Sequence, residues 1–148
     1  MSKSIPIFRR SGLGDADYLF DLCQMTMRGY VEQVWGVWNE PAVRKHLAER
    51  AREGAFFMLY VDGARVGAVE FEHHGTHYQI EDLYVEPQSQ GQGIGTFVVK
   101  HIIAMATEKN IPVRLRVLTP NPARRLYERL GFEVTRSTPE RHFMERRS

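Results

Sequence analysis

The chain has 148 residues, 43% of them hydrophobic and 26% charged, with a formal net charge of +2 at pH 7. That length suits one domain with a real core rather than two, and the composition excludes the disordered, collagenous and disulfide-scaffold classes. Basic residues are scattered among acidic ones except between Arg141 and Arg147, which argues against a nucleic-acid partner.

Residues 5–8 read as a short first strand, interrupted at residues 11–15. Asp15 is placed to cap a helix through residues 16–35, where Leu19, Leu22, Cys23 and Thr26 recur near helical spacing. Gly29 and Gly36 are expected to break this segment into more than one piece. A second helix is expected over residues 40–52, with Pro41 in its first turn, where a missing amide proton costs nothing. Two β-favouring runs, residues 56–61 and 65–72, flank Asp62-Gly63, a pair that tolerates the positive φ angles of a hairpin turn. Residues 73–77 form a turn into a further strand over residues 78–87. Within it Leu83 and Val85 share one parity and Ile80 has the other, so the apolar face slips by one residue around Glu81 and Asp82. A single inserted residue, a β-bulge, restores the alternation.

Ile94, Phe97, Val98, His101, Ile102 and Met105 fall on one face of a helix. Val113, Leu115 and Val117 alternate with Arg114 and Arg116 in a strand. A compact helix follows, with Asn121 as cap, Pro122 at its first position, Ala123, Leu126, Tyr127 and Leu130 on one face, and Gly131 as terminator. Residues 132–137 and 141–146 supply two last strands. The order of elements specifies an α+β or mixed α/β layered domain.

Cys23 is the sole cysteine, so neither an intramolecular disulfide nor a multi-cysteine metal site is available, and a reducing, cytoplasmic home is expected. The first ten residues lack the apolar stretch of a secretory signal, and no window approaches a membrane span, so no membrane partner is expected.

Residues 88–95, QSQGQGIG, place three glycines between a strand and a helix. A dinucleotide fingerprint fails because Thr96 stands where its third glycine belongs, and a nucleotide-triphosphatase loop fails because no Gly-Lys-Ser/Thr occurs. Two readings remain: a tight turn after Pro87, or a run of free amides at a helix N-terminus that wraps a pyrophosphate. Gln90-Gly91-Gln92-Gly93-Ile94-Gly95 matches the pattern Q/R-x-x-G-x-G/A. Together with residues 81–87, DLYVEP after Glu81, and residues 121–132, NPARRLYERLGF, it makes the sequence resemble the GNAT family of acetyl-CoA-dependent N-acetyltransferases.

The resemblance implies a single N-acetyltransferase domain over residues 1–148. Its fold would be α+β, a mixed and mostly antiparallel sheet of about six or seven strands, splayed between the fourth and fifth and flanked by about four helices. Acetyl-CoA would serve as acetyl donor, with pantetheine on the backbone of Leu83, Tyr84 and Val85. The pyrophosphate would lie on amides of Gln90, Gly91, Gln92, Gly93, Ile94, Gly95 and Thr96, with Asn121 beside the cofactor.

The implied chemistry makes three demands. An alkylammonium with a pKa of about 10.4 must lose a proton before it attacks. The resemblance puts Glu81 at the position of a base, with Asp82 and Glu70 in reserve, while a solvated strand carboxylate is the plain alternative for Glu81. Charge developing on the thioester oxygen needs a donor, for which the amide of Val85 or Tyr84 is placed. The departing thiolate needs a proton, and Tyr127 occupies the position of the family's general acid; core packing is its plain alternative. Cys23, on an apolar helical face without an adjacent His, is not read as a nucleophile, so direct attack in a ternary complex is expected. His73, His74 and His77 are read as a solvated turn, and no metal is expected.

The family's acceptor site usually lies along the first two helices, where Tyr30, Trp35 and Trp38 offer aromatic surface and Glu32 and Glu40 negative charge. That combination suits a cationic amine, on a small molecule, a peptide or a protein. A non-catalytic acyl-CoA-binding regulatory or interaction module is the rival reading. The terminal strands are compatible with a monomer or a homodimer.

Overall fold

In the computed structural model, which describes residues 4–147, the chain runs β1 (Ile7–Arg10), α1 (Ala16–Trp35), α2 (Glu40–Arg52), β2 (Phe56–Val61), β3 (Ala64–His73), β4 (Tyr78–Val85), α3 (Ile94–Lys109), β5 (Val113–Leu118), α4 (Arg124–Arg129), β6 (Glu133–Ser137) and β7 (Arg141–Arg146). The seven strands form one sheet in the order β1-β2-β3-β4-β5-β7-β6. Every neighbouring pair is antiparallel except β4 and β5. This is the mixed, mostly antiparallel sheet with four flanking helices that the sequence implies.

Local chemistry explains most element boundaries. Asp62 and Gly63 take φ of 51° and 81°, closing the β2–β3 hairpin. Asn39 caps α2 by accepting from the Ala42 amide. Gly131, at φ 94°, ends the last helix, and the Phe132 amide reaches back to the Tyr127 carbonyl.

Four expectations need correction. Asp15 precedes α1 but its side chain caps no amide of that helix, accepting instead from the Gly12 amide and from Arg9 and Arg65. Gly29 does not break α1, which runs unbroken for 20 residues and stops at Gly36, φ 80°. A mid-helix glycine costs only about 1 kcal/mol, and the buried stripe of Leu19, Phe20, Leu22 and Cys23 outweighs it. The first strand starts at Ile7 rather than at residue 5. The last helix starts at Arg124, after a turn in which Asn121 Oδ1 accepts from the Ala123 amide at 2.9 Å.

Two apolar layers sandwich the sheet. On one face α1 and α2 pack Leu19, Phe20 and Leu47 against Phe56, Met58 and Tyr84. On the other, α3 lays Val98, Val99 and Ile102 over Leu59, Val69 and Leu115. Each such side chain contributes about 1.5–3 kcal/mol by leaving water.

What shapes the site is the failure of the sheet at its centre. The β4–β5 ladder holds for Tyr78, Gln79 and Ile80 against Val113, Arg114 and Leu115, and stops there. On its other edge β4 pairs Asp82 with Glu70 and Ile80 with Phe71, leaving Glu81 as an extra residue. The bulge expected from side-chain parity is therefore present. It lets Ile80, Leu83 and Val85 pack into one core layer despite their parity, and it turns β4 away from β5 where the ladder ends.

Candidate active site

The segment between β4 and α3 leaves its backbone bare. Gly91 and Gly93 take φ of 79° and 83°, angles that a side chain strains to adopt. Gly93 is the N-terminal cap residue of α3 and, having no side chain, caps nothing. Among the described residues, the amides of Gly91, Gln92, Gly93, Ile94, Gly95 and Thr96 find no backbone acceptor; the first to do so is that of Phe97, on the Gly93 carbonyl at 2.9 Å. Unpaired amides and the positive end of a helix dipole lie together there.

These amides open on a cleft of about 590 Å³. Its floor is the edge of β4 that β5 has left. The Glu86 amide donates to the Val66 carbonyl on the β3 side, so by strand alternation Leu83 and Val85 aim their N–H and C=O groups at the open side. The Val85 carbonyl there accepts from the Gln90 side chain at 2.9 Å. Tyr84 faces the other way, its carbonyl so close to Gly67 that a Cβ on residue 67 would sit 2.2 Å from it. Of the two amides considered for the oxyanion, Val85 is thus the one that faces the cleft. Gln90, Gly91, Gly93, Ile94, Gly95 and Thr96 line the cleft, whereas the Gln92 side chain folds back toward the Gln88 carbonyl.

A second cleft, about 400 Å³, opens on the α1–α2 face of the sheet. Because the bulge spends one extra residue, the consecutive carboxylates Glu81 and Asp82 line this same cleft. A small cavity of about 50 Å³ lies between the two clefts and is bounded by Glu81, Asp82, Tyr84, Asn121 and Tyr127.

Asp82 is the group that the sequence placed only in reserve. Burial pushes its carboxyl from 3.8 to about 7, opposed by the Tyr84 hydroxyl and by Arg116 and helped by the charges of Glu70 and Glu81. A pKa near neutrality suits a general base. Glu81, its side chain 30% exposed, has Arg116 for company, with Nη2 at 3.8 Å from its Oε2. Glu70 is buried and occupied: the Arg50 guanidinium of α2 holds its carboxylate and also reaches Glu72 at 3.1 Å. Cys23 donates to the Tyr84 hydroxyl at 3.6 Å, and burial pushes its thiol up to about 11. A thiol so placed stays protonated.

Tyr127 is buried in α4, edge-on to Phe132 with ring centroids 5.7 Å apart. Its hydroxyl has no hydrogen-bond partner among the described residues. Burial, with the charge of Asp82, raises its pKa well above that of a free phenol. It therefore carries a proton throughout the neutral range, at the junction of the first cleft and the small cavity. Core packing and a free hydroxyl facing the cavity hold together.

The aromatic residues divide between the clefts. Trp35 and Trp38 line the second cleft, and Tyr30 lines the first. Glu32 joins neither, being paired with Arg28 at 3.0 Å on the exposed side of α1, and Glu40 lies near Arg44 at 3.8 Å. The carboxylates that line the second cleft are instead Glu81 and Asp82. His74 and His77 stack with centroids 5.2 Å apart in the exposed β3–β4 turn, remote from both clefts. Among the described residues no three His, Cys, Asp or Glu side chains cluster as metal ligands, and no helix is long and apolar enough to cross a membrane.

Compared with known protein families, residues 19–132 match the model of the acetyltransferase (GNAT) family. The chain belongs to the GNAT family. Two curated members are similar to it over 61 residues: the thialysine N-epsilon-acetyltransferases of Bos taurus, 41% identical, and of Mus musculus, 44% identical. In each case the match covers 40% of this chain and 36% of the relative's length. Among solved structures, a PaiA N-acetyltransferase from Thermoplasma acidophilum in complex with coenzyme A superposes with a TM-score of 0.74 at 18% identity, covering 100% of both chains. An acetyltransferase from Thermus thermophilus gives a TM-score of 0.78 at 16% identity, also covering 100% of both. At those identities the structures establish that this GNAT protein shares their fold.

Proposed function

We propose that residues 1–148 act as a single N-acetyltransferase domain that moves the acetyl group of acetyl-CoA to a primary amine by direct attack in a ternary complex. The observation that carries this reading is the pair of clefts meeting across the splay, with a free strand edge and uncapped helix on one side and a carboxylate of near-neutral pKa on the other. The uncapped amides of residues 91–96 fit a pyrophosphate, and the open edge at Leu83 and Val85 fits the amides of a pantetheine arm. Acetyl-CoA, when bound, supplies the thioester carbonyl as electrophile.

The chain's own groups do the rest. Asp82, ionised above about pH 7, takes the proton from the entering ammonium, and Glu81 beside it favours a cation in the cleft. The Val85 N–H stabilises the charge that develops on the carbonyl oxygen. Tyr127 gives its proton to the departing thiolate. Asn121 keeps the start of α4, and hence Tyr127, in place through its bond to Ala123. The names of the curated relatives support an amine acceptor.

Turnover of acetyl-CoA across a panel of amines, followed by released thiol, tests the reading. Tyr127→Phe is expected to lose about 10- to 100-fold or more in kcat while calorimetric affinity for acetyl-CoA is kept. Unchanged turnover in that variant would remove Tyr127 as the acid, and acetyl-CoA binding without turnover of any amine would favour the non-catalytic, acyl-CoA-sensing alternative.

A further inference from the structure

Asp82, Tyr127 and the loop amides account for acetyl transfer, but two cations in the acceptor cleft have no part in it. Arg116 lies on β5 and Arg141 opens β7; in the register Leu118 faces Arg141 and Arg116 faces Phe143, so the two arginines sit two rungs apart on neighbouring strands and line the same cleft. Neither guanidinium makes a hydrogen bond among the described residues. Arg116 comes no nearer to a carboxylate than 3.8 Å, at Glu81, and Arg141 makes no side-chain hydrogen bond or ion pair among the described residues. Its guanidinium carbon lies 5.4 Å from the centroid of the Trp35 ring, which holds the charged end at the apolar wall of the cleft. Burial and the like charge of Arg116 both lower its pKa.

Arg141, partly buried and facing the like charge of Arg116, gives up hydration without gaining a counter-charge, so an anion joining the two is favoured. The planar fork of arginine matches a carboxylate in two-point geometry. Glu81 and Asp82 line the same cleft, Glu81 within 3.8 Å of Arg116, so the cleft offers anionic groups as well as the uncompensated cation of Arg141.

We propose that the acceptor carries both charges, a primary amine directed to Asp82 and a carboxylate on the same molecule held by Arg141 with Arg116. This rests on the acetyltransferase reading and adds the chemical class of its acceptor, an amino acid with a second, distal amine. Simple diamines of the same length lack the group that the arginines would hold and bring a second positive charge to them.

The test is turnover of matched pairs that differ only by the carboxylate, lysine against cadaverine and ornithine against putrescine, at saturating acetyl-CoA. The wild-type protein is expected to favour the amino acid of a pair by about tenfold or more in kcat/KM. Arg141→Met is expected to shrink that ratio by about ten- to a hundredfold, chiefly through KM for the amino acid, and Arg141→Lys to restore part of it. Arg116→Met serves as the independent second variant, expected to move the ratio in the same direction. A wild-type protein that uses both members of a pair equally, or an Arg141→Met variant that slows both equally, overturns the proposal while leaving the acetyltransferase reading intact. Acetyl-CoA binding without turnover of any amine overturns both.

Discussion

The two clefts meet at β4 but are made of different material. The side proposed to hold the cofactor is largely backbone: amides of residues 91–96, the edge of β4 at Leu83 and Val85, and two glycines at positive φ that keep side chains out of the way. The side proposed to hold the acceptor is made of side chains brought from α1, α2, β4, β5 and β7. Backbone sites tolerate wide changes of sequence provided the glycines stay, whereas side-chain sites can be retuned one residue at a time. On the proposed reading, one side of the site fixes what donates the acetyl group, and the other is free to choose what receives it.

The sharpest way to break this division is to remove a group on one side and read the other. Asp82→Asn keeps shape and removes the base; kcat/KM is expected to fall about 10²–10⁴-fold, with acetyl-CoA affinity unchanged by calorimetry. A comparable fall in Glu81→Gln with little effect in Asp82→Asn would transfer the role to Glu81. The complementary change, Gly93→Val, forces a β-branched residue toward φ 83° at the uncapped end of α3. Acetyl-CoA affinity is expected to drop about tenfold or more, since strain at such a position costs about 1–3 kcal/mol. If it binds acetyl-CoA as tightly as wild type, the amides of the loop are not the anion cradle.

A third change separates site from scaffold. Arg50→Met leaves the Glu70 carboxylate, 4% exposed, without the guanidinium that holds it. Removing one partner of a buried pair costs about 3–5 kcal/mol; because Arg50 itself is 26% exposed, about 2–3 kcal/mol is the better expectation, read as a lowered denaturant midpoint. Unchanged stability would mean that Glu70 folds protonated.

The same contrast explains what was legible in the sequence. The glycine loop could be read because its conformation demands particular residues at particular spacings, and the bulge because the parity slip from Ile80 to Leu83 admits few other causes. The unbroken α1 was not legible at Gly29, because the core contacts that override one glycine's local preference come from strands far away in sequence. Asp82 was legible as a carboxylate next to the splay but not as the group with a near-neutral pKa, since that depends on burial and on Glu70, Tyr84 and Arg116 arriving from three strands. Glu32 could not be distinguished from a cleft residue by composition; its partner Arg28, one turn earlier, was the available sign that it faces outward. Arg141 carried no signal beyond a C-terminal run of basic residues.

The smallest expected effect tests the electrostatic origin of that assignment. If Asp82 is the base, kcat/KM for an amine rises with pH through about 7 as the carboxyl ionises. The negative charge of Glu81 helps hold that value up, so Glu81→Gln is expected to move the acidic limb to lower pH, and Arg116→Met, which removes an opposing cation, to move it higher. The same shift appears in stability. Between its ordinary 3.8 and about 7 the folded protein binds a proton at Asp82 that the unfolded chain has released. Stability therefore declines as pH rises across that window, and the full penalty is present above it. Asp82→Asn is thus expected to raise the melting temperature at pH 8 and to confer no such gain below about pH 4. An equal gain at both pH values would mean that the benefit comes from packing, and that the carboxyl of Asp82 titrates in its ordinary range.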